Sequence, residues 1–258
     1  MNAEQPRVTV VVAHPDDETF GCGSILLHAA AAGARTTVVC ATRGEAGGVV
    51  PGVHVPPGGI AALREDELHS ASRALGVTEV ELLGFTDSGM DGSLADGSLC
   101  GASYDEVVTA VRSAVERHDP DVVVSLDGSD GHRDHARIRD AVVAAVAGSE
   151  RRLYLQGLPR SLMHRWVRHH AGNPDAAAYV ELPEIGTPDS QFTTVIDSSA
   201  HVSVREAAIA MHRSQASPYD GLPAELKGAF LAAEHLTRVN PPWTGGPLER
   251  DILVDDGP

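Results

Sequence analysis

Two short stretches hold the residues best suited to chemistry. The first is Ala13-His14-Pro15-Asp16-Asp17-Glu18, and the second is Leu126-Asp127-Gly128-Ser129-Asp130-Gly131-His132-Arg133-Asp134-His135. A histidine, a carboxylate and a second histidine around one crevice form a mixed nitrogen and oxygen ligand set with open positions, the pattern of a catalytic zinc site. The chemistry it would support is hydrolysis by activated water. His132 and His135 stand three apart at the start of a helical stretch, so both can face the crevice. Taken singly, His-Pro-Asp-Asp is an ordinary turn and helix cap, and a histidine pair is expected by chance among 13 histidines. Only their meeting points to a metal.

Whether they meet depends on the elements that carry them. Short β-branched runs at Val8 to Ala13, Thr36 to Ala41, Val80 to Leu83, Val122 to Ser125 and Leu153 to Gln156 read as buried parallel strands. Between them, Thr19 to Ala32, Ile60 to Leu75, Tyr104 to His118 and His135 to Ala147 have helical spacing, with Gly33 and Gly76 at helix ends. The alternation predicts an α/β, doubly wound, mostly parallel Rossmann-like sheet with helices on both faces. Five such strands order as 3-2-1-4-5, and ligands bind where that order reverses, outside the carboxyl ends of strands one and four. Both stretches follow those two strands directly.

Thr42 to Gly59 and Gly84 to Ser103 are Gly-rich loops too long for simple connections and read as functional. The chain reads as a single domain over 1–258, with a core at 1–157 and a C-terminal cap region at 158–258 packed on it. In the cap, helices are expected at Ser161 to His170, Val202 to Arg213 and Ala224 to Arg238, and strand-like pieces such as Thr193 to Ile196.

Composition narrows the function classes. With 20 Lys+Arg against 36 Asp+Glu the net charge is −16, which disfavours nucleic acid and anionic lipid. Arg160 to His170, with three Arg and three His, is the densest basic stretch and is modest. No apolar run approaches the ~18 residues of a membrane span, and the first residues lack the features of a secretory signal, so the N-terminus reads as mature protein. The three separated cysteines, Cys22, Cys40 and Cys100, suggest reduced thiols and a cytoplasmic setting. Gly21-Cys22-Gly23 lacks the third glycine of a dinucleotide loop, and Trp166 and Trp243 read as packing residues.

The two stretches, taken together, resemble the LmbE-like (PIG-L) family of zinc-dependent N-deacetylases, whose members carry A-H-P-D-D-E after the first strand and a later H-x-D-H. Further matches are Thr42-Arg43-Gly44-Glu45-Ala46-Gly47, Arg64 with Glu67-Leu68, Leu75-Gly76-Val77 and Asp87-Ser88-Gly89-Met90, with an echo at His212-Arg213-Ser214-Gln215. The resemblance implies His14, Asp17 and His135 as metal ligands, Asp16 as general base, and His132 as the partner of the oxyanion; the nearby Asp134 is expected to keep His132 cationic. It implies one Zn2+ per chain, although the ligand set would also accept Fe2+ or another divalent ion. Arg64, Asp87 and Glu45 resemble positions lining a sugar pocket. Asp130 departs from the tyrosine of mycothiol-pathway relatives, and the loop from Val49 to Gly59 matches no known subgroup.

The expected activity is removal of an N-acetyl or N-acyl group from an amino sugar or related glycoside, by a cytoplasmic enzyme that acts on a small molecule and is compatible with a homo-oligomer. Rival expectations are an amidase acting on a larger thiol-sugar conjugate of the mycothiol S-conjugate type, a two-metal phosphoesterase, and a sugar-binding module with a vestigial centre.

Overall fold

The computed structural model describes residues 5–173, 176–182 and 184–254. Five parallel strands, β1 (Arg7–Val12), β2 (Arg35–Cys40), β3 (Glu79–Leu82), β4 (Val122–Leu126) and β5 (Arg152–Gln156), stand in the order 3-2-1-4-5. β1 is buried on both faces. Val8, Val10 and Val12 enter one apolar cluster, while Val11 and Ala13 enter the other. This is why its sequence is a continuous apolar run rather than an alternation.

The helices that cover the core are α1 (Asp17–Phe20), α2 (Gly23–Ala31), α3 (Gly59–Ala74), α4 (Tyr104–His118) and α5 (Arg133–Val146). The single helix expected over Thr19 to Ala32 is broken at Gly21 and Cys22. A Cβ on Gly21 would stand 2.7 Å from Leu126 Cδ2, so the chain passes β4 at a distance only glycine allows. α4 starts at a capping box in which Ser103 accepts from Glu106 N and Glu106 accepts from Ser103 N.

The C-terminal region adds α6 (Arg160–His169), α7 (Ala177–Val180), β6 (Thr194–Asp197), α8 (Val202–Ile209), α9 (Ala224–Leu231) and β7 (Ala233–Asn240). The continuous helix expected over Ala224 to Arg238 is wrong in its second half, because β7 pairs antiparallel with β5 and β6 pairs antiparallel with β7. The sheet therefore has seven strands, in the order β3-β2-β1-β4-β5-β7-β6. Ala-Glu-His-Leu is locally a helix former, but the free edge of β5 offers a row of hydrogen bonds that overrides local preference. The region expected as a cap thus extends the sheet as well as covering it.

The reversal also buries charge. Glu234, on β7, forms an ion pair with Arg205 of α8, and both side chains are buried. Arg205 further donates to Thr19 O at 3.0 Å, Phe20 O at 2.6 Å and Ser24 Oγ at 3.0 Å, tying α8 to the first motif. Removing one partner strands the other charge, so Arg205→Met should lose about 3–5 kcal/mol of stability. The midpoint of urea unfolding measures this, and an unchanged midpoint would refute it.

Candidate active site

The motif after β1 and the motif after β4 face each other, as the strand order requires. His14 Nδ1 lies 3.2 Å from His135 Nε2. Asp17 places Oδ1 3.2 Å from His135 Nε2 and Oδ2 3.6 Å from His14 Nδ1. Ligands at the ~2.0–2.1 Å bond lengths of tetrahedral zinc are roughly 3.3 Å apart, a spacing that the two ring nitrogens match, with the Asp17 carboxylate approaching each ring through a different oxygen. His14, His132 and His135 also bring ring nitrogens within 4.8 Å of one another.

The outward-facing nitrogens of the two imidazoles are each held by carboxylates. His14 Nε2 is 3.2 Å from Asp134 Oδ2 and 3.4 Å from Asp87 Oδ1, while His135 Nδ1 is 2.6 Å from Asp130 Oδ2. Such partners fix the tautomer and ring orientation of metal-binding histidines. His14, Asp87 and Asp134 form a second convergent group, but it shares His14, whose two ring nitrogens point apart.

The charge balance points the same way. Burial pulls the His14 imidazolium down, yet Asp134, Asp17 and Asp87 outweigh it and hold its pKa well above the ordinary value. His135 is likewise raised, to about 10, against its burial, by Asp130 and Asp17. A cluster of buried carboxylates around two rings calls for added positive charge, which protons or a divalent cation can supply.

Asp16 is set apart from this cluster. Its φ of 121° is a conformation that L residues rarely adopt, at a cost on the order of 1–3 kcal/mol. Asp16 N donates to Glu18 Oε2 at 2.8 Å, Thr19 Oγ1 donates to Asp16 O at 2.8 Å, and Arg64 Nη2 donates to Asp16 Oδ2 at 2.9 Å. Glu18 is held in turn at 2.5 Å by His212 Nε2, both side chains being fully buried. Burial lifts the Asp16 carboxyl to about 6, with Arg64 opposing the rise and Asp17 adding to it.

Arg64, expected at a sugar pocket, lines the cavity but turns both terminal amino groups onto the protein. Beyond Asp16 it donates to Pro15 O at 2.5 Å and Gly44 O at 2.9 Å. A Cβ on Gly44, at φ +67°, would collide with the guanidinium, which accounts for glycine in the Thr-Arg-Gly-Glu stretch. Asp87 is turned toward His14, and Glu45 accepts from Asp87 N at 3.0 Å. All three expected substrate residues are therefore close to the centre but engaged with protein groups.

The pairing of Asp134 with His132 requires correction. Asp134 N donates to His132 Nδ1 at 3.2 Å, capping α5, but the carboxylate is on His14, Ser88 N and Cys100 Sγ. Burial, with His14 and His135 adding to it, lowers His132 to about 4. It is a neutral ring whose Nε2–H remains a donor. The reason is that α5 starts at Arg133, before His135, and its first turn carries Asp134 away from the ring that caps it.

Sequence reasoning also missed Asp130 and Glu18 as structural partners. Asp130 was visible only as a departure from a tyrosine, and the His212 echo was the signal for Glu18. Asp130→Asn should weaken metal affinity about 10–100-fold. Competition with a chelating dye tests this, and unchanged affinity would show that Asp130 does not orient His135.

The centre opens into a cavity of about 600 Å³. Among the described residues, no helix is long and apolar enough to cross a membrane.

Residues 9–146 match the family model described as PIG-L: GlcNAc-PI de-N-acetylase. The 1D-myo-inositol 2-acetamido-2-deoxy-alpha-D-glucopyranoside deacetylase of Kineococcus radiotolerans is 33% identical over 255 residues, covering 82% of this chain and 70% of that one. Its counterpart in Actinosynnema mirum is 32% identical, covering 96% of both chains. The solved N,N'-diacetylchitobiose deacetylase of Pyrococcus horikoshii has the same fold, with a TM-score of 0.60 at 18% identity, covering 91% of this chain and 84% of that one.

Proposed function

Because the chain belongs to the PIG-L family of de-N-acetylases, we propose that it hydrolyses the acetamide of a small 2-acetamido sugar glycoside. His14, Asp17 and His135 would hold one divalent cation, Zn2+ first. The observation that carries this reading is the 3.2 Å approach of His14 Nδ1 to His135 Nε2, with the Asp17 carboxylate within 3.6 Å of both through one oxygen each, beside a carboxylate anchored elsewhere.

A cation held there supplies a Lewis acid that acidifies water and polarises the amide carbonyl. Asp16, kept off the donor set by its backbone turn and by Arg64, takes the proton from the attacking water and can return it to the leaving amine. His132 donates Nε2–H to the oxygen that gains charge. Asp130, Asp134 and Asp87 keep the two ligand rings in orientation. The three free cysteines suit a reducing, cytoplasmic compartment.

Elemental analysis should find one zinc or other divalent ion per chain. Chelation should abolish acetate release from methyl N-acetylglucosaminides, and metal should restore it. Two ions per chain with phosphoester cleavage would replace this reading.

The pH profile adds a second test. Asp16 acts as base only when ionised, so turnover falls as pH drops through its pKa, at or below about 6 once a cation adds its charge. Arg64 holds that pKa down, so Arg64→Met should move the acid limb to higher pH. A limb that stays in place would remove Asp16 from the role.

A further inference from the structure

The family match ends at residue 146, and much of the cavity wall is built beyond it. That wall presents Met163 and Trp166 of α6, Ile185, Tyr219 and Phe230 of α9, together with Phe20 from the end of α1. Its aromatic polar atoms are turned into the protein. Trp166 Nε1 donates to Pro218 O at 2.8 Å, and Tyr219 Oη donates to Phe20 O at 2.6 Å. What these side chains offer a ligand is apolar ring and chain surface.

The same cavity is acidic. Asp16, Asp17, Asp87, Asp127, Asp130 and Asp220 line it, and among the described residues the only arginine or lysine on its wall is Arg64, which is committed to Asp16, Pro15 and Gly44. Away from the metal centre, which the amide must occupy, a phosphate has no free arginine or lysine to meet there and faces like charge. At about 600 Å³ the cavity falls within the range of sites that enclose a whole ligand.

From this combination we infer that the amino sugar carries an uncharged, apolar substituent, a chain or ring that lies against Trp166 and Phe230, and carries no phosphate. This rests on the deacetylase reading, since the sugar's amide must reach the metal centre through the same cavity. The substituent can be attached at the anomeric oxygen or be the acyl group itself, and both place apolar surface in the cavity.

The test is binding to the metal-loaded protein by calorimetry, together with acetate or fatty-acid release. One arm uses methyl, butyl and octyl N-acetylglucosaminides of both anomers. The other uses methyl glucosaminides bearing N-acetyl, N-butanoyl and N-octanoyl groups. A fully buried methylene is worth about fourfold in affinity, so Kd should fall at least tenfold from the shortest to the longest member of one arm. The arm that responds identifies the attachment point. Trp166→Ala should flatten that response, and Leu158→Ser, at a half-buried apolar position on the same wall, serves if the first variant does not fold.

Affinity that is flat with chain length in both arms, or N-acetylglucosamine 1-phosphate binding more tightly than the methyl glycoside, would overturn the inference. Tighter binding of long members without hydrolysis of any compound would support the apolar substituent and overturn the deacetylase reading instead.

Discussion

Asp16→Asn leaves the cation bound and removes about two to four orders of magnitude from kcat, the range for loss of a positioned general base. The neighbouring change behaves in the opposite way. Asp17→Asn loses one of the three proposed donors, so its metal affinity should fall by more than the ~10–100-fold typical of a ligand's supporting partners. The two carboxylates are adjacent in sequence but point to different work. Asp17 lies between His14 and His135, whereas Asp16 is turned by its φ of 121° onto Arg64. Metal content and turnover, measured on both variants, separate the roles. Equal metal loss in the two would show that both aspartates are ligands and that the base lies elsewhere.

His132→Ala reduces turnover about 100- to 1000-fold, the cost of one oxyanion donor, while zinc content and KM stay close to wild type. Substrate binding is spared because the donor acts where charge develops in the transition state. His132 is close enough to His14 and His135 to share a metal with them, and its ring stacks on His135 at 4.9 Å between centroids. Metal content is therefore the deciding measurement. A variant that loses zinc makes His132 a ligand, and the oxyanion then needs another partner. Burial and the neighbouring His14 and His135 lower the His132 pKa to about 4, so His132→Gln, which keeps an N–H donor, should recover part of the loss. A requirement for cationic His132 would instead leave the Gln variant as inactive as the Ala variant.

The strand order and the meeting of the two motifs were legible in the sequence. Buried parallel strands are continuous β-branched runs, and the reversal after strands one and four follows from chain order alone. The two motifs meet, with His14 Nδ1 3.2 Å from His135 Nε2 and Asp17 Oδ1 3.2 Å from His135 Nε2. Charge assignments within the site were not legible. Nothing local says that Asp134 serves His14 instead of His132, or that Arg64 holds Asp16 instead of a sugar, because those choices depend on where loops from β2 and β3 come to rest. The strand β7 was hidden for a related reason.

The order of residues in this chain thus determined the sheet core and the set of chemical groups brought to its switch point, because hydrophobic periodicity and short connections leave few alternatives. Tertiary structure alone decided which carboxylate each histidine faces, how the second motif is capped, and what surface the last third presents to the cavity. Those outcomes depend on electrostatic and packing contacts between residues far apart in sequence, such as Glu18 with His212 and Arg205 with Glu234, and such contacts have no local signature.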